Sequence, residues 1–151
     1  MKKILFIDMD GVLANFDKAA SDWLESHPTV EHIYKGREDR IHGIFRNIPP
    51  IDGAIEAVNK LAESGKYDMF IATAAPWDNP DAATDKRYWI EKHFGDLFKK
   101  RMFVTHRKDL LSGDYLIDDR TKNGAGEFKG ELILFGSNSC PDWNSVLQKL
   151  L

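Results

Sequence analysis

ILFIDMDGVLANF, residues 4–16, decides how the rest of the chain is read. Four apolar residues with strand character lead into Asp8 and Asp10 around Met9, then Gly11 and a second apolar run. Two carboxylates at the end of a buried strand repel each other unless something positive sits with them. In an extended strand, residues i and i+2 point the same way, so Asp8 and Asp10 are expected to share one side. Gly11 lets the backbone turn tightly away from them.

Outward from this stretch, short apolar runs bounded by polar residues or glycine recur. They are KILFID, YDMFIAT, RMFVT, DYLIDD and ELILFG, each with the length and composition of a buried strand. Between them lie helical patterns. Phe16, Ala19, Ala20, Trp23 and Leu24 form one apolar stripe, and Ile55, Val58, Leu61 and Ala62 another, closed by Gly65. Residues 82–94, closed by Gly95, and a stripe from Trp143 to Leu151 supply two more. Strands alternating with helices predict an α/β fold, a parallel sheet of about five strands with helices on both faces. The alternation breaks once. Residues 15–49 are polar and only partly periodic, and end in the stiff IPP turn at 48–50. Structureless loops of that length are uncommon in compact domains, so the segment is expected to be a small helical cap. The expected division is 1–14 and 50–151 for the core and 15–49 for the cap.

Ligands bind outside the carboxyl ends of the strands in such sheets. Asp8 and Asp10 end the first strand, Thr73 the second, and Asp118 and Asp119 the fourth. Each close carboxylate pair costs roughly 4 kcal/mol at an intermediate dielectric, which a divalent cation relieves. Oxygen donors without a histidine or cysteine cluster suit Mg²⁺, a cation that keeps waters and a substrate phosphate in its shell. A carboxylate can also attack phosphorus while a second one moves the proton.

DMDGVLANF (8–16) resembles the first motif of the haloacid dehalogenase (HAD) superfamily of phosphatases, and is closest to its 5'(3')-deoxyribonucleotidase branch, where DMDGVLADF is typical. IPPIDGAIEAV (48–58), FIATAAP (70–76), DKRYWIEKHFG (85–95) and DYLIDDR (114–120) are similar to further segments of that branch, in order. The resemblance implies a three-layer Rossmann-like fold with a cap inserted after the first strand. It implies Mg²⁺-dependent hydrolysis of deoxyribonucleoside monophosphates through an aspartyl-phosphate, with Asp8 as nucleophile and Asp10 as general acid, then base. Thr73 and the Ala74 backbone N–H would bind the phosphoryl group, and Lys86 would neutralise its growing charge. The metal would be held by Asp8, the Asp10 carbonyl, and Asp118 or Asp119. Phe16 aligns with an aromatic position that packs against the nucleobase. Asn15 replaces an acid usual in the branch, Ala74 replaces a serine common in animal relatives, and the cap matches poorly beyond Phe16 and Phe45.

Composition bounds these readings. With 21 Lys and Arg against 24 Asp and Glu, the net charge is −3, a poor surface for a nucleic-acid polymer. Cys140 is the sole cysteine, and no long apolar run suggests a membrane span, so a cytoplasmic location is expected. Two rivals stand beside the nucleotidase. One is a HAD phosphatase for another small phosphomonoester. The other is a non-catalytic phospho-receiver domain, whose acceptor aspartate ends the third strand, whereas RMFVTH carries no acid. The five histidines show no ligand spacing. Trp77, in the proline-flanked PWDNP loop beside the expected phosphate site, reads equally as a loop anchor.

Overall fold

Five parallel strands lie in the order β3-β2-β1-β4-β5 in the computed structural model, which describes residues 1–151. They are β1 (Lys3–Ile7), β2 (Tyr67–Thr73), β3 (Met102–Val104), β4 (Tyr115–Asp118) and β5 (Glu131–Leu134), one for each apolar run in the sequence. β1 is central, pairing Ile7 with Ile71 on one side and with Ile117 on the other. That position demands burial on both faces, which the uninterrupted ILFI run supplies.

The helices are α1 (Phe16–Ser26), α2 (Glu31–Tyr34), α3 (Ala54–Glu63), α4 (Ala82–Phe94) and α5 (Trp143–Leu150). Asn15 caps α1, its Oδ1 accepting from the Lys18 N–H at 3.2 Å. Asp142 and Ser145 form a reciprocal capping box at α5.

The two faces of the sheet are covered unequally. Leu5, Ile7, Met69, Ile71 and Ile117 join α3, α4 and α5 in a single cluster of 28 buried residues. Phe6, Ala72 and Leu116 face the other way, against Ala125 and Phe128. That second layer consists of short 3-10 turns, Lys108–Leu110 and Ala125–Glu127, rather than long helices. The connections that form it are too short for more.

Residues 15–49 hold one full helix, α1, the single turn α2, a 3-10 turn at Glu38–Arg40 and further turns. The segment starts and ends at one point, with the Asn15 N–H donating to the Pro49 carbonyl at 2.8 Å. Ile41, Ile44, Phe45 and Ile48 are buried in the main cluster, so the insertion shares the core of the sheet. Buried polar groups pin it. Asn79 Nδ2 donates to the Asp39 and Ile41 carbonyls at 3.0 Å each, and Trp89 Nε1 to the Ile48 carbonyl at 2.7 Å. No helix is long and apolar enough to cross a membrane.

Candidate active site

The acids gather at the carboxyl ends of β1 and β4. β1 stops at Ile7, although its ladder runs one step further through the Asp8 N–H to the Ile117 carbonyl at 2.9 Å. The chain then winds about the Met9 carbonyl, which accepts from Val12, Leu13 and Ala14. The expectation that strand alternation aligns Asp8 with Asp10 therefore needs correction. A tight turn, with Gly11 at φ +79°, brings both to one cavity while aiming them at different partners.

Asp8 meets Lys108. Its Oδ1 accepts from Lys108 Nζ at 2.9 Å, and the same ammonium reaches Asp118 Oδ2 at 2.6 Å. Alternation along the strands puts Asp8 and Asp118 on the face of Phe6 and Leu116, where the Lys108–Leu110 turn crosses. Asp118 Oδ1 accepts from the Arg120 N–H at 3.0 Å, so both its oxygens have partners.

Asp10 meets Lys86 on the opposite side. Lys86 Nζ donates to Asp10 Oδ2 at 2.8 Å, Thr73 Oγ1 at 2.9 Å and the Ala74 carbonyl at 2.5 Å. An ammonium has three donors, and here all three are committed. Lys86 is fully buried, and its Nζ sits 4.7 Å from the centre of the Phe45 ring. Asp10 Oδ1 is buried with no partner at all.

Asp8, Asp118 and Asp119 present carboxylate oxygens within 4.8 Å of one another. Three observations fit these residues to a hard divalent cation. The donors are all oxygen. Gly11 makes room for one of them, since a Cβ there would overlap the Asp119 carboxylate. The third is electrostatic. Burial pushes the Asp8 carboxyl well above the usual carboxylate range, only partly offset by Lys108, and Asp118 and Asp10 push it further. Burial, then Asp118, likewise raises Asp119. Burial opposes the charge on Lys108, yet Asp8 and Asp118 outweigh it and hold the ammonium above its ordinary value. Every shift is toward holding protons: the cluster is short of positive charge. Asp10 contributes its side chain to Lys86, outside the carboxylate triad.

A cavity of about 260 Å³ opens over this floor, lined by Asp8, Asp10, Ala74, Lys108, Asp118 and Asp119 at the acidic end. Phe16, Phe45, Asp39 and Pro76 line it toward the insertion. Phe16 and Phe45 stack at 5.2 Å and 15°, so Phe16 is at once a packing residue and a cavity wall. Arg46 instead pairs with Asp85 at 3.2 Å and lies over Tyr88.

Lys108 is the residue that sequence reasoning missed. It lies in HRKDLL, a stretch without periodicity, and nothing local marks it. The available signal was charge arithmetic: two buried acids and a half-buried third at one edge of the sheet require a cation from a nearby connection.

Residues 29–145 match the family described as 5' nucleotidase, deoxy (pyrimidine), cytosolic type C. That match begins beyond Asp8 and Asp10, but similar proteins span them. A candidate 5'(3')-deoxyribonucleotidase of Vibrio phage KVP40 is 45% identical over 99% of this chain and 85% of its own. The human mitochondrial 5'(3')-deoxyribonucleotidase is 32% identical over 95% of this chain and 68% of its own. The Bacillus subtilis 5'(3')-deoxyribonucleotidase is 27% identical across the full length of both.

Proposed function

We propose, from the premise that this chain belongs to the 5' nucleotidase, deoxy (pyrimidine), cytosolic type C family, that it removes phosphate from deoxyribonucleoside monophosphates by covalent catalysis at Asp8. The observation that carries the reading is the division of labour between two aspartates two residues apart. Asp8 sits in the acidic triad against Lys108. Asp10 has one oxygen fixed by Lys86 and the other buried and free.

In the first step an Asp8 oxygen bonds to phosphorus as the ester P–O bond breaks, and Asp10 Oδ1 gives its proton to the departing nucleoside oxygen. In the second, Asp10 takes a proton from water as that water attacks the aspartyl-phosphate, freeing phosphate and restoring Asp8. Lys86 acts as a positioning residue, because its donors are spent on Asp10, Thr73 and the Ala74 carbonyl. Thr73 Oγ1 accepts from Lys86 and donates to the Ala74 carbonyl in a long bond of 3.4 Å; exchanging that bond gives its proton to a phosphoryl oxygen, and the Ala74 N–H supplies a second donor. Lys108 lines the cavity, holds Asp8 and places positive charge beside the transferred group. Its capture by Asp8 and Asp118 explains how both acids stay folded together.

Mg²⁺ would be held by Asp8, the Asp10 carbonyl and Asp119, with Asp118 orienting through Lys108 and the Arg120 N–H; bound there, it neutralises carboxylate and phosphoryl charge. Asp119 is the better direct ligand because both Asp118 oxygens already have hydrogen-bond donors. The insertion at 15–49 closes the cavity from the leaving-group side through Phe16 and Phe45.

Phosphate release from dUMP and dTMP is the test. Excess chelator is expected to abolish it and Mg²⁺ to restore it. Asp8→Asn is expected to lower turnover on the order of 10⁴-fold or more, with the circular-dichroism spectrum unchanged. Turnover unaffected by the chelator would remove the metal, and an active Asp8→Asn enzyme would remove the covalent step. A kcat/KM ranking led by non-nucleotide phosphomonoesters would replace the substrate class.

A further inference from the structure

We propose that Trp77 is a specificity-determining residue that stacks on the nucleobase at the mouth of the cavity; the inference rests on the nucleotidase reading above. The indole is 88% exposed, the most exposed large apolar side chain apart from the terminal methionine. It is therefore no loop anchor.

Its exposure does not come from a loose loop. Trp77 stands at the tip of a turn closed by the Asn79 N–H donating to the Pro76 carbonyl at 3.1 Å. Both flanks are tied to the cavity. Pro76 lines it directly. On the other side Asp78 pairs with Arg40 at 3.3 Å, and the buried Asn79 holds the carbonyl of Asp39, itself a cavity residue. The turn bridges sheet and insertion beside the cavity, with the exposed Trp77 next in sequence to the lining residue Pro76.

Size and chemistry select the occupant. A cavity of about 260 Å³ falls just below the roughly 300–1,000 Å³ usual for ligand pockets, so the far end of a nucleotide extends to the rim. A phosphate seated at Asp8 leaves the base as that far end. Phe16 and Phe45 provide apolar wall on the insertion side, and Trp77 directly follows Pro76, which also lines the cavity. Beside it lie Asp78 and, paired to Asp78, Arg40, charged groups that do not build the contiguous apolar patch of a protein interface. A lone, exposed indole on a tied turn suits a planar ligand.

The test compares Trp77→Ala with the parent enzyme on two substrates, dUMP and deoxyribose 5-phosphate, which lacks a base. Hydrolysis of dUMP by the parent establishes the underlying reading independently. Trp77→Ala is expected to lower kcat/KM for dUMP roughly 10-fold, mainly through KM, and to leave deoxyribose 5-phosphate unchanged. Trp77→Phe should recover most of the loss. With a non-hydrolysable dUMP analogue, parent tryptophan fluorescence should quench and that of Trp77→Phe should not. Equal loss on both substrates, no loss on dUMP, or a change in sedimentation mass on substitution would each overturn the assignment, the last in favour of a contact between protein copies.

Discussion

Two buried lysines reach the same cavity floor from opposite faces of the sheet, and they behave differently. Lys86 arrives on α4, from the thick helical layer, and spends every donor on Asp10, Thr73 and the Ala74 carbonyl. Lys108 arrives on a 3-10 turn, from the thin layer, and stands between Asp8 and Asp118 at the cavity wall. The first lysine balances one carboxylate and leaves its second oxygen free. The second faces a triad whose negative charge it cannot balance alone. One half of the site is thus electrostatically complete and fixes geometry. The other half is incomplete, and that deficit is what a divalent cation and a phosphoryl group exploit.

Replacing each lysine by methionine separates the halves most sharply. Removing one partner of a buried pair costs about 3–5 kcal/mol, so both variants should melt well below the parent when metal-free. Excess Mg²⁺ should return much of the loss in Lys108→Met, because the cation takes over charge on Asp8. It should return little in Lys86→Met, whose orphaned Asp10 side chain lies outside the triad. Equal rescue by Mg²⁺ would erase the distinction.

The pH dependence of stability offers a smaller effect of defined sign. Folded Asp8 and Asp119 have raised carboxyl values, so the folded state retains protons that the unfolded chain has already released. Metal-free stability should therefore fall as pH rises from the ordinary carboxylate range through those raised values. Mg²⁺ should suppress the fall, and the Mg²⁺-induced gain in Tm should grow with pH. A gain constant across pH would contradict the charge deficit at the triad.

Smaller still is the expected effect of Trp89→Phe. Trp89 shares α4 with Lys86 and ties the Ile48 carbonyl of the insertion. Losing that bond should cost about 2 kcal/mol, since a buried carbonyl is left unsatisfied. Titration calorimetry should find Mg²⁺ affinity unchanged, as the triad is held from the other face. A large change in Mg²⁺ affinity would mean that the halves are coupled.

The strand-borne part of the site was legible because alternation and apolar runs locate strand ends from local sequence. Asp8, Asp10, Thr73, Asp118 and Asp119 could be placed that way, and each helix boundary near Gly65 and Gly95 followed from its glycine. The two-sided helical cover was read too generously, since HRKDLL and the residues before ELIL carry no helical period and form only 3-10 turns. Lys86 stood out only through its matching segment, and Lys108 not at all.

The amino-acid sequence by itself determined the strands, the acids at their ends and the glycine that turns the chain after Asp10, because those features depend on neighbours a few residues apart. The tertiary structure decided which cation serves which acid. Lys108 lies 100 residues from Asp8, and Lys86 lies 76 from Asp10. Pairing across such distances is set by which face each connection crosses, a property of the assembled sheet that no short stretch of chain contains.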